Sequence, residues 1–296
     1  MLERILIPTD GSALSELALG VAETLARAQG AELILARVVE PPRWVETDSH
    51  DWVMPDLYSQ LEEALKSEAQ AGLDQLAEQL RRRGLTPRPI LLHGFAASEL
   101  LDCEQRERPD LVIMATHGRT GVARFALGSV ADRLVREGIS PVLVVRSFSP
   151  GVSWTERALV PLDGSALAEQ ALPMVETLAG KPLKWVKLLR AVASSSEVAA
   201  ATAYLAPVAV RLANAGLEVI PEVRIDSPAE AIQAEGQAVD LVILATHGRG
   251  GFDRFQHGSV AEETMRHLAA PLLLVRAPET AQPDAPSSSV ATAGPP

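Results

Sequence analysis

The stretch ATHGRTGVARFALGSVA at residues 115–131 occurs a second time in the chain, as ATHGRGGFDRFQHGSVA at residues 245–261. The histidine, the glycine after it and the closing Gly-Ser-Val keep the same spacing in both copies. Two further blocks repeat in the same order: PTDGSALSELAL (8–19) as PLDGSALAEQAL (161–172), and ISPVLVVRS (139–147) as AAPLLLVRA (269–277). A chain of 296 residues arranged in this way is predicted to be two copies of one domain.

The predicted domains span residues 1–147 and 152–277, and the Ser-, Pro- and Gly-containing segment SFSPG joins them. The first copy carries an extra stretch from about Pro41 to Pro55, followed by a long predicted helix. From residue 278 the chain has almost no large apolar side chain and is rich in Pro, Ser and Ala. Residues 278–296 are therefore predicted to form a disordered tail.

Each copy alternates strand and helix patterns. Residues 4–8 predict a short strand, Ser12 suits the cap of the helix that follows, and DLVIMA at 110–115 is typical of a strand buried on both faces. This order predicts an α/β fold of two tandem, doubly wound, five-stranded parallel-sheet (Rossmann-like) domains with helices on both faces. Ligands of such sheets bind at the carboxyl ends of the strands, so the loops after the first and fourth strands are the candidate sites.

The composition excludes several classes of protein. A net charge of −11 and a pI of about 5.1, without clustered cations, exclude nonspecific nucleic-acid binding. The single cysteine, Cys103, excludes an intrachain disulfide and a cysteine-based zinc cluster. No apolar run approaches the ~18–20 residues of a membrane span, and the amino terminus lacks the apolar core of a signal peptide. We therefore expect no membrane association and a cytoplasmic location.

The duplicated loop has features of an anion site. Gly118 follows a buried strand, where a glycine lets the backbone approach a ligand closely. Gly128-Ser129 opens the last helix of the copy, and the free N–H groups at a helix start attract phosphate. Each feature alone is commonplace as a turn or a helix cap. Duplicated at identical spacing, at the ligand-binding end of the sheet, together they indicate a phosphate site.

These residues resemble the universal stress protein family, and the chain resembles a tandem member of it. The nucleotide-binding members of that family share a motif of Gly, two residues, Gly, nine residues and Gly-Ser or Gly-Thr. Both copies match it except at the first glycine, which is Ala115 in one copy and Ala245 in the other. The resemblance implies ATP as the ligand, bound between the first-strand loop and this motif.

The resemblance also implies the contacts of the ATP. In the first copy the phosphates would meet Gly118, Arg119, Gly128, Ser129 and Val130, and the adenine and ribose would meet Pro8, Thr9, Asp10, Val38 and Met114, beside Ala115. In the second copy the phosphate positions are Gly248, Arg249, Gly258, Ser259 and Val260, with Pro161, Asp163, Val192 and Leu244 on the adenine and ribose side, beside Ala245. Leu162 replaces Thr9, so a hydroxyl contact of the first site is absent from the second. Asp10 and Asp163 would accept from the ribose or lie near a phosphate-bound Mg²⁺; stabilising the turn is their alternative role.

We expect an ATP-binding regulatory or stress-response protein with little or no turnover rather than an enzyme. The Walker, kinase, GxSxG and HExxH motifs are all missing from the sequence, and none of its four lysines lies in the shared loops. No catalytic residue and no protein metal site is predicted. Two alternatives remain: an interaction module of the same fold that binds no nucleotide, and a slow ATP hydrolase using His117 or Asp10.

The last strand of each copy predicts how the copies assemble. PVLVVR and PLLLVR are apolar and would lie at the edge of a sheet, where an exposed strand invites pairing. The two copies are expected to pair through these strands as a pseudo-two-fold unit, as the resemblance also implies. A homodimer of two chains is a further expectation. Trp44 and Trp52 would either contribute to it or pack on their own domain.

Overall fold

The computed structural model describes residues 1–41, 55–115, 128–145, 156–246, 268 and 270–276, with the backbone alone for 55–57. The predicted linker, most of the extra stretch of the first copy and the predicted tail lie outside these residues. The elements of the first copy are β1 (Arg4–Pro8), α1 (Ala13–Gln29), β2 (Glu32–Val39), α2 (Pro55–Arg82), β3 (Pro87–His93), α3 (Ala96–Glu107), β4 (Leu111–Ala115), α4 (Ser129–Glu137) and β5 (Val142–Val145). Those of the second are β6 (Arg157–Pro161), α5 (Leu172–Leu178), β7 (Trp185–Val192), α6 (Val198–Asn214), β8 (Glu218–Ile225), α7 (Pro228–Gly236), β9 (Leu241–Thr246) and β10 (Leu272–Arg276), with 3-10 turns at Ala168–Ala171 and Ser195–Glu197.

All ten strands form one sheet, in the order β3-β2-β1-β4-β5-β10-β9-β6-β7-β8. The strands within each copy are parallel, and the predicted α/β class with parallel sheets is confirmed. At the centre β5 and β10 run antiparallel, with Leu272 opposite Val144 and Leu274 opposite Val142. The strand order reverses beside β1 and again beside β6, which places a crevice at each of these positions.

Apolar residues cover both faces of the sheet. In β1, Ile5 and Ile7 pack into the layer that contains α1 and α2, whereas Leu6 packs into the layer that contains α3 and α4. All three side chains are fully buried, because helices cover both faces. This double burial explains why the strands read as continuous apolar runs rather than as alternating ones. Cys103 is also fully buried, in the second of these layers.

The first helix differs between the copies because of one proline. Pro173 stands in the second copy where the first has Gly20. The 17-residue helix α1 is replaced there by a 3-10 turn and the 7-residue helix α5, which has Pro173 in its first turn. Proline has no N–H group to donate and is best accommodated in the first turn of a helix.

A buried carboxylate ties α3 to the loop that follows α4. Glu104 is fully buried, and its Oε1 accepts hydrogen bonds from the amides of Ile139 at 3.0 Å and Ser140 at 2.6 Å. A Cβ atom added to Gly138 would lie 2.7 Å from Glu104 Oε2 and would also collide with a backbone carbonyl oxygen. The Gly138 carbonyl in turn accepts from the guanidinium of Arg276, at the end of β10. The loop is thus held from both copies at once.

The equivalent contact in the second copy is apolar. Gly236 occupies the position of Glu104, and Leu268 occupies that of Gly138. A Cβ on Gly236 would collide with the Leu268 side chain. The large side chain comes first along the chain in the first copy, as Glu104 before Gly138. In the second copy the glycine comes first, as Gly236 before Leu268.

The two outer strands carry prolines on their exposed edges. The amides of Glu218 and Asp226 donate to β7, so the alternate positions of β8, including Pro221, direct their nitrogen away from the sheet. By the register with β2, Pro87 and Pro89 hold the same outward position in β3. Both edges therefore lack N–H donors at these positions.

Two glycine substitutions test this packing. Gly138→Ala should lower the free energy of unfolding by about 1–3 kcal/mol, because the new methyl group overpacks the Glu104 contact. Gly20→Ala is the matched control: it lies in a helix with open space around it and should stabilise the chain by about 0.5–1 kcal/mol. Urea unfolding measures both changes. Equal effects of the two substitutions would contradict the assigned contact.

Candidate functional site

A cavity of about 410 Å³ lies at the carboxyl end of the first half-sheet. It is bounded by the loop after β1, the end of β2, the first turn of α3, the end of β4 and the start of α4. Nine predicted site residues line it: Pro8, Thr9, Asp10, Val38, Met114, Ala115, Gly128, Ser129 and Val130. Gly118 and Arg119 lie outside the described residues.

The cavity has further lining residues that the sequence prediction did not name: Ser12, Ser15, Ala36, Glu40, Ala96, Leu100 and Ala131. Ala36 could have been found from strand alternation, since it lies two residues before Val38 on the same face. Glu40 and Ala96 carried no such signal, because the family motif does not include them.

A glycine turn shapes the loop after β1. Gly11 has φ +75°, a left-handed conformation that favours glycine. The Thr9 hydroxyl accepts from the Gly11 amide at 3.3 Å and donates to Ser15 Oγ at 3.2 Å. Ser12 caps α1 by accepting from the Ser15 amide at 3.3 Å. The loop is thereby fixed before any ligand is present.

Asp10 is stabilised in its ionised form. Burial raises the pKa of its carboxyl group, but hydrogen bonds from the hydroxyl and amide of Ser12 and from Ser15 outweigh it, so the pKa lies below its ordinary value. The Ser12 amide donates to Oδ1 at 2.9 Å. Asp10 is therefore an anionic acceptor in the cavity at neutral pH.

The start of α4 supplies backbone donors. Gly128 occupies the N-cap and carries no side chain, so no side-chain cap accepts from the first turn. Its carbonyl accepts from Asp132 N at 2.9 Å, as the first hydrogen bond of the helix. The first-turn amides and the helix dipole together favour an anionic ligand here.

The backbone of Val38 supplies a second polar edge. The last hydrogen bond between β1 and β2 joins Thr9 N to Ala36 O at 2.8 Å, and Gly94 N donates to Val39 O on the other side. Hydrogen-bonding direction alternates along a strand, so the N–H and C=O of Val38 face the space that β1 has left. This edge borders the cavity, because Val38 lines it.

The described residues of the second copy bound a corresponding cavity of about 210 Å³. It includes Pro161, Asp163, Leu244 and Ala245 of the predicted site. Gly248, Arg249, Gly258, Ser259 and Val260 lie outside the described residues.

The assignment of Val192 to this site was wrong by one residue. Pro8 is in register with Ala36, and Pro161 is in register with Leu189. The counterpart of Val38 is therefore Ala191, which lines the cavity. Val192 faces a neighbouring hollow bounded by Ala193 and Ile225.

The second cavity is also less polar. Its glycine turn is preserved: Gly164 has φ +83°, and Asp163 Oδ1 accepts from Ser165 N at 2.8 Å. Leu162 and Ala168, however, stand where the first copy has the hydroxyls of Thr9 and Ser15. The Leu162 side chain is apolar and is buried in the core, so this position offers no hydroxyl group to a ligand.

A cluster with no equivalent in the first copy supports this second loop. The Arg190 guanidinium lies 4.8 Å from the centre of the Tyr204 ring, and the Tyr204 hydroxyl donates to Glu169 Oε1 at 2.9 Å. Burial and this hydrogen bond raise the pKa of Tyr204 above its ordinary value. Gly72 stands in α2 at the position of Tyr204, so the first copy has no ring there for the equivalent Arg37.

Two Rossmann-like repeats with a cavity at the carboxyl end of each half-sheet define a class of two-domain α/β proteins. The sequence profile of the Universal stress protein family matches residues 1–146 and 155–276. The chain belongs to this family as a tandem member. No helix among the described residues combines the length and apolar character of a membrane span.

Individual relatives agree with this assignment. The chain is 32% identical over 145 residues to the universal stress protein MJ0531 of Methanocaldococcus jannaschii, a match covering 49% of this chain and 82% of that protein. It is 25% identical over 311 residues to the universal stress protein Mb2019 of Mycobacterium bovis, covering 93% and 95%. The crystal structure of a universal stress protein from Archaeoglobus fulgidus has the same fold, with a TM-score of 0.73 at 19% identity over 92% of this chain and 98% of that one.

The pH dependence of unfolding tests the environment of Asp10. Because its pKa is lowered in the folded chain, its stabilising effect is complete above its unfolded pKa of about 3.9 and is lost as the pH falls through the folded value. The wild type should therefore exceed Asp10→Asn in free energy of unfolding at pH 7, and the difference should shrink below about pH 4. Urea unfolding across this range measures it.

Ser12→Ala provides the comparison for this measurement. It removes the hydroxyl donor and keeps the amide donor, so it should weaken the pH dependence without abolishing it. A wild-type advantage over Asp10→Asn that stays constant from pH 7 to pH 3 would contradict the assignment.

Proposed function

We propose that this chain is a regulatory, stress-response protein that binds ATP and turns it over slowly or not at all. One observation carries the proposal: nine of the site residues that the family resemblance implies line one cavity in the first copy. The volume of that cavity lies within the range of about 300–1,000 Å³ that is common for small-molecule sites.

The two ends of the cavity suit the two ends of a nucleotide. The amino terminus of α4, with Gly128 and Ser129, favours the phosphates. The apolar Pro8, Val38 and Met114, with the free backbone edge of Val38, suit a flat base that needs both a donor and an acceptor. Asp10 also lines this cavity and can accept from a ribose hydroxyl.

Magnesium would be bound together with the nucleotide. The described residues contain no cluster of three or more His, Cys, Asp or Glu side chains that could hold a metal ion by themselves. Mg²⁺ commonly uses phosphate oxygens, water and one or two carboxylates. The ionised Asp10 is one of the two carboxylates, with Glu40, in the described lining of the first cavity.

Slow turnover agrees with the charges around the first cavity. Its described lining includes the carboxylates of Asp10 and Glu40, and none of the described lining residues is Lys, Arg or His. Phosphoryl transfer relies on a positive clamp around the transferred group. A slow hydrolase remains the alternative, and steady phosphate release that is lost in Asp10→Ala would support it.

The second copy favours a different alternative, an interaction module that binds no nucleotide. Its described lining has Leu162 and Ala168 where the first cavity has two hydroxyl groups. Retention of one nucleotide per chain through purification would agree with this division of roles.

The proposal includes the assembly of the chain. The pairing of β5 with β10 would join domains 1–147 and 152–277 as one unit in solution. The cytoplasmic location and a homodimer of two chains stay predictions. Sedimentation at several concentrations measures the second.

Titration calorimetry with ATP–Mg²⁺ tests the proposed sites. Gly128→Val places a branched side chain over the first amides of α4, so affinity at the first site should fall at least about tenfold, or about 1.4 kcal/mol. Gly258→Val makes the same change in the second copy. Gly20→Ala, far from both cavities, is the control and should bind like the wild type.

Unchanged affinity and stoichiometry in both valine variants would contradict the proposed sites. If Gly128→Val alone removes all binding, the first copy holds the nucleotide and the second does not.

A further inference from the structure

Arg276, the last residue of β10, reaches from the second copy into the first. Its guanidinium donates a hydrogen bond to the carbonyl oxygen of Gly138, the C-cap of α4. The strand register accounts for this contact, because β5 and β10 run antiparallel and Leu274 lies opposite Val142. The carboxyl end of β10 therefore lies beside the loop that precedes β5. β9 holds β10 from the other side, in register as far as Thr246 and Arg276.

Helix α4 joins this contact to the first cavity. Its nine residues span roughly 12 Å, from Ser129 in the cavity lining to the residue before Gly138. The middle of the helix packs on the sheet through three buried apolar side chains, those of Ala131, Leu134 and Val135. A short helix that is packed in this way moves as one body. A shift of its carboxyl end therefore also moves the amides at its start.

Two polar contacts among the described residues fix the carboxyl end of α4, one from each copy. Glu104 of α3 accepts from the amides of Ile139 and Ser140. Arg276 donates to the carbonyl of Gly138. Apolar packing is not directional, whereas hydrogen bonds are, so these contacts determine how the helix is oriented on the sheet. The second copy thus supplies one of the two contacts that orient a helix of the first site.

The two ends of α4 favour opposite charges. A cation is stabilised at the carboxyl end of a helix and an anion at its amino end, because of the helix dipole and the free N–H groups. Arg276 provides the cation beside the carboxyl end. The phosphates of a nucleotide would provide the anion at Gly128 and Ser129, which line the cavity.

We propose that Arg276 is a positioning residue of the first site and holds α4 in the orientation that directs its first amides into the cavity. The phosphate end of the site would then depend on the second copy, whereas the base end, at Val38 and Met114, would not. This inference depends on the proposed nucleotide binding. It names a residue of the second copy that controls the affinity of the first copy for phosphate.

The test compares ATP–Mg²⁺ with adenosine, which has no phosphate. Binding is measured by calorimetry in a Gly258→Val background, so that the first copy dominates. Arg276→Met removes the donors and keeps most of the apolar stem, so it should weaken ATP binding about fivefold and leave adenosine binding unchanged. Arg276→Lys keeps a charged donor on a different side chain and should restore part of the ATP affinity.

Two further variants separate positioning from a general effect on the fold. Arg211→Met is the matched control, because the ion pair of Arg211 with Glu176 lies within the second copy. It should bind both ligands as the wild type does. Arg276→Gln replaces the guanidinium by a shorter polar group, and it should show the same loss confined to ATP even if Arg276→Met does not fold. Thermal unfolding establishes that each variant is folded.

The outcomes distinguish this inference from the proposed function. An equal loss of ATP and adenosine affinity in the Arg276 variants would mean that Arg276 only supports the fold, and it overturns the positioning role. Unchanged ATP affinity in these variants also overturns that role, and it leaves nucleotide binding intact. Failure of the wild type to bind ATP overturns both.

Discussion

The offset between two neighbouring strands creates the candidate site. β1 ends where Thr9 N meets Ala36 O, but β2 continues to Val39. The polar backbone of Val38 is left without a neighbouring strand, and the glycine turn at Gly11 carries the chain away from it. Buried backbone groups are nearly always paired, and a ligand in the cavity would be in a position to pair with this edge. The cavity and its polar edge both follow from this difference between the ends of β1 and β2.

The two copies keep this geometry and differ in its chemistry. The same register recurs at Leu162 and Leu189, so the second cavity lies in the same place on its half-sheet. In the second copy, Leu162 and Ala168 replace the two hydroxyl-bearing residues that border the first cavity. Arg190 and Tyr204 support the loop of the second copy. Duplication preserved the backbone, because every strand depends on it. The side chains that line the two crevices differ, and one of them, Leu162, packs in the core.

The sequence predicted the parts of the fold that burial controls. DLVIMA became β4, and the long helix predicted after the extra stretch of the first copy became α2, because long apolar patterns at one period have few alternatives. It was harder to predict which residue of β7 lines the cavity. Ala191 and Val192 are both apolar, and a shift of one residue exchanges the two faces of a strand. The register of β2 with β1 and of β7 with β6 identifies Ala191 as the counterpart of Val38. Glu40 was missed for another reason: its contact with Ala96 joins two elements that are far apart in the sequence.

The prolines on the outer strands limit what the sheet can become. Adding a strand to an exposed edge requires an uninterrupted series of amide donors along it. Pro87 and Pro89 on one side and Pro221 on the other present ring carbons to an incoming strand instead. No strand can therefore be added to the ten-stranded sheet by hydrogen bonds at these proline positions. The prolines thus oppose the pairing of a further strand at the positions they occupy.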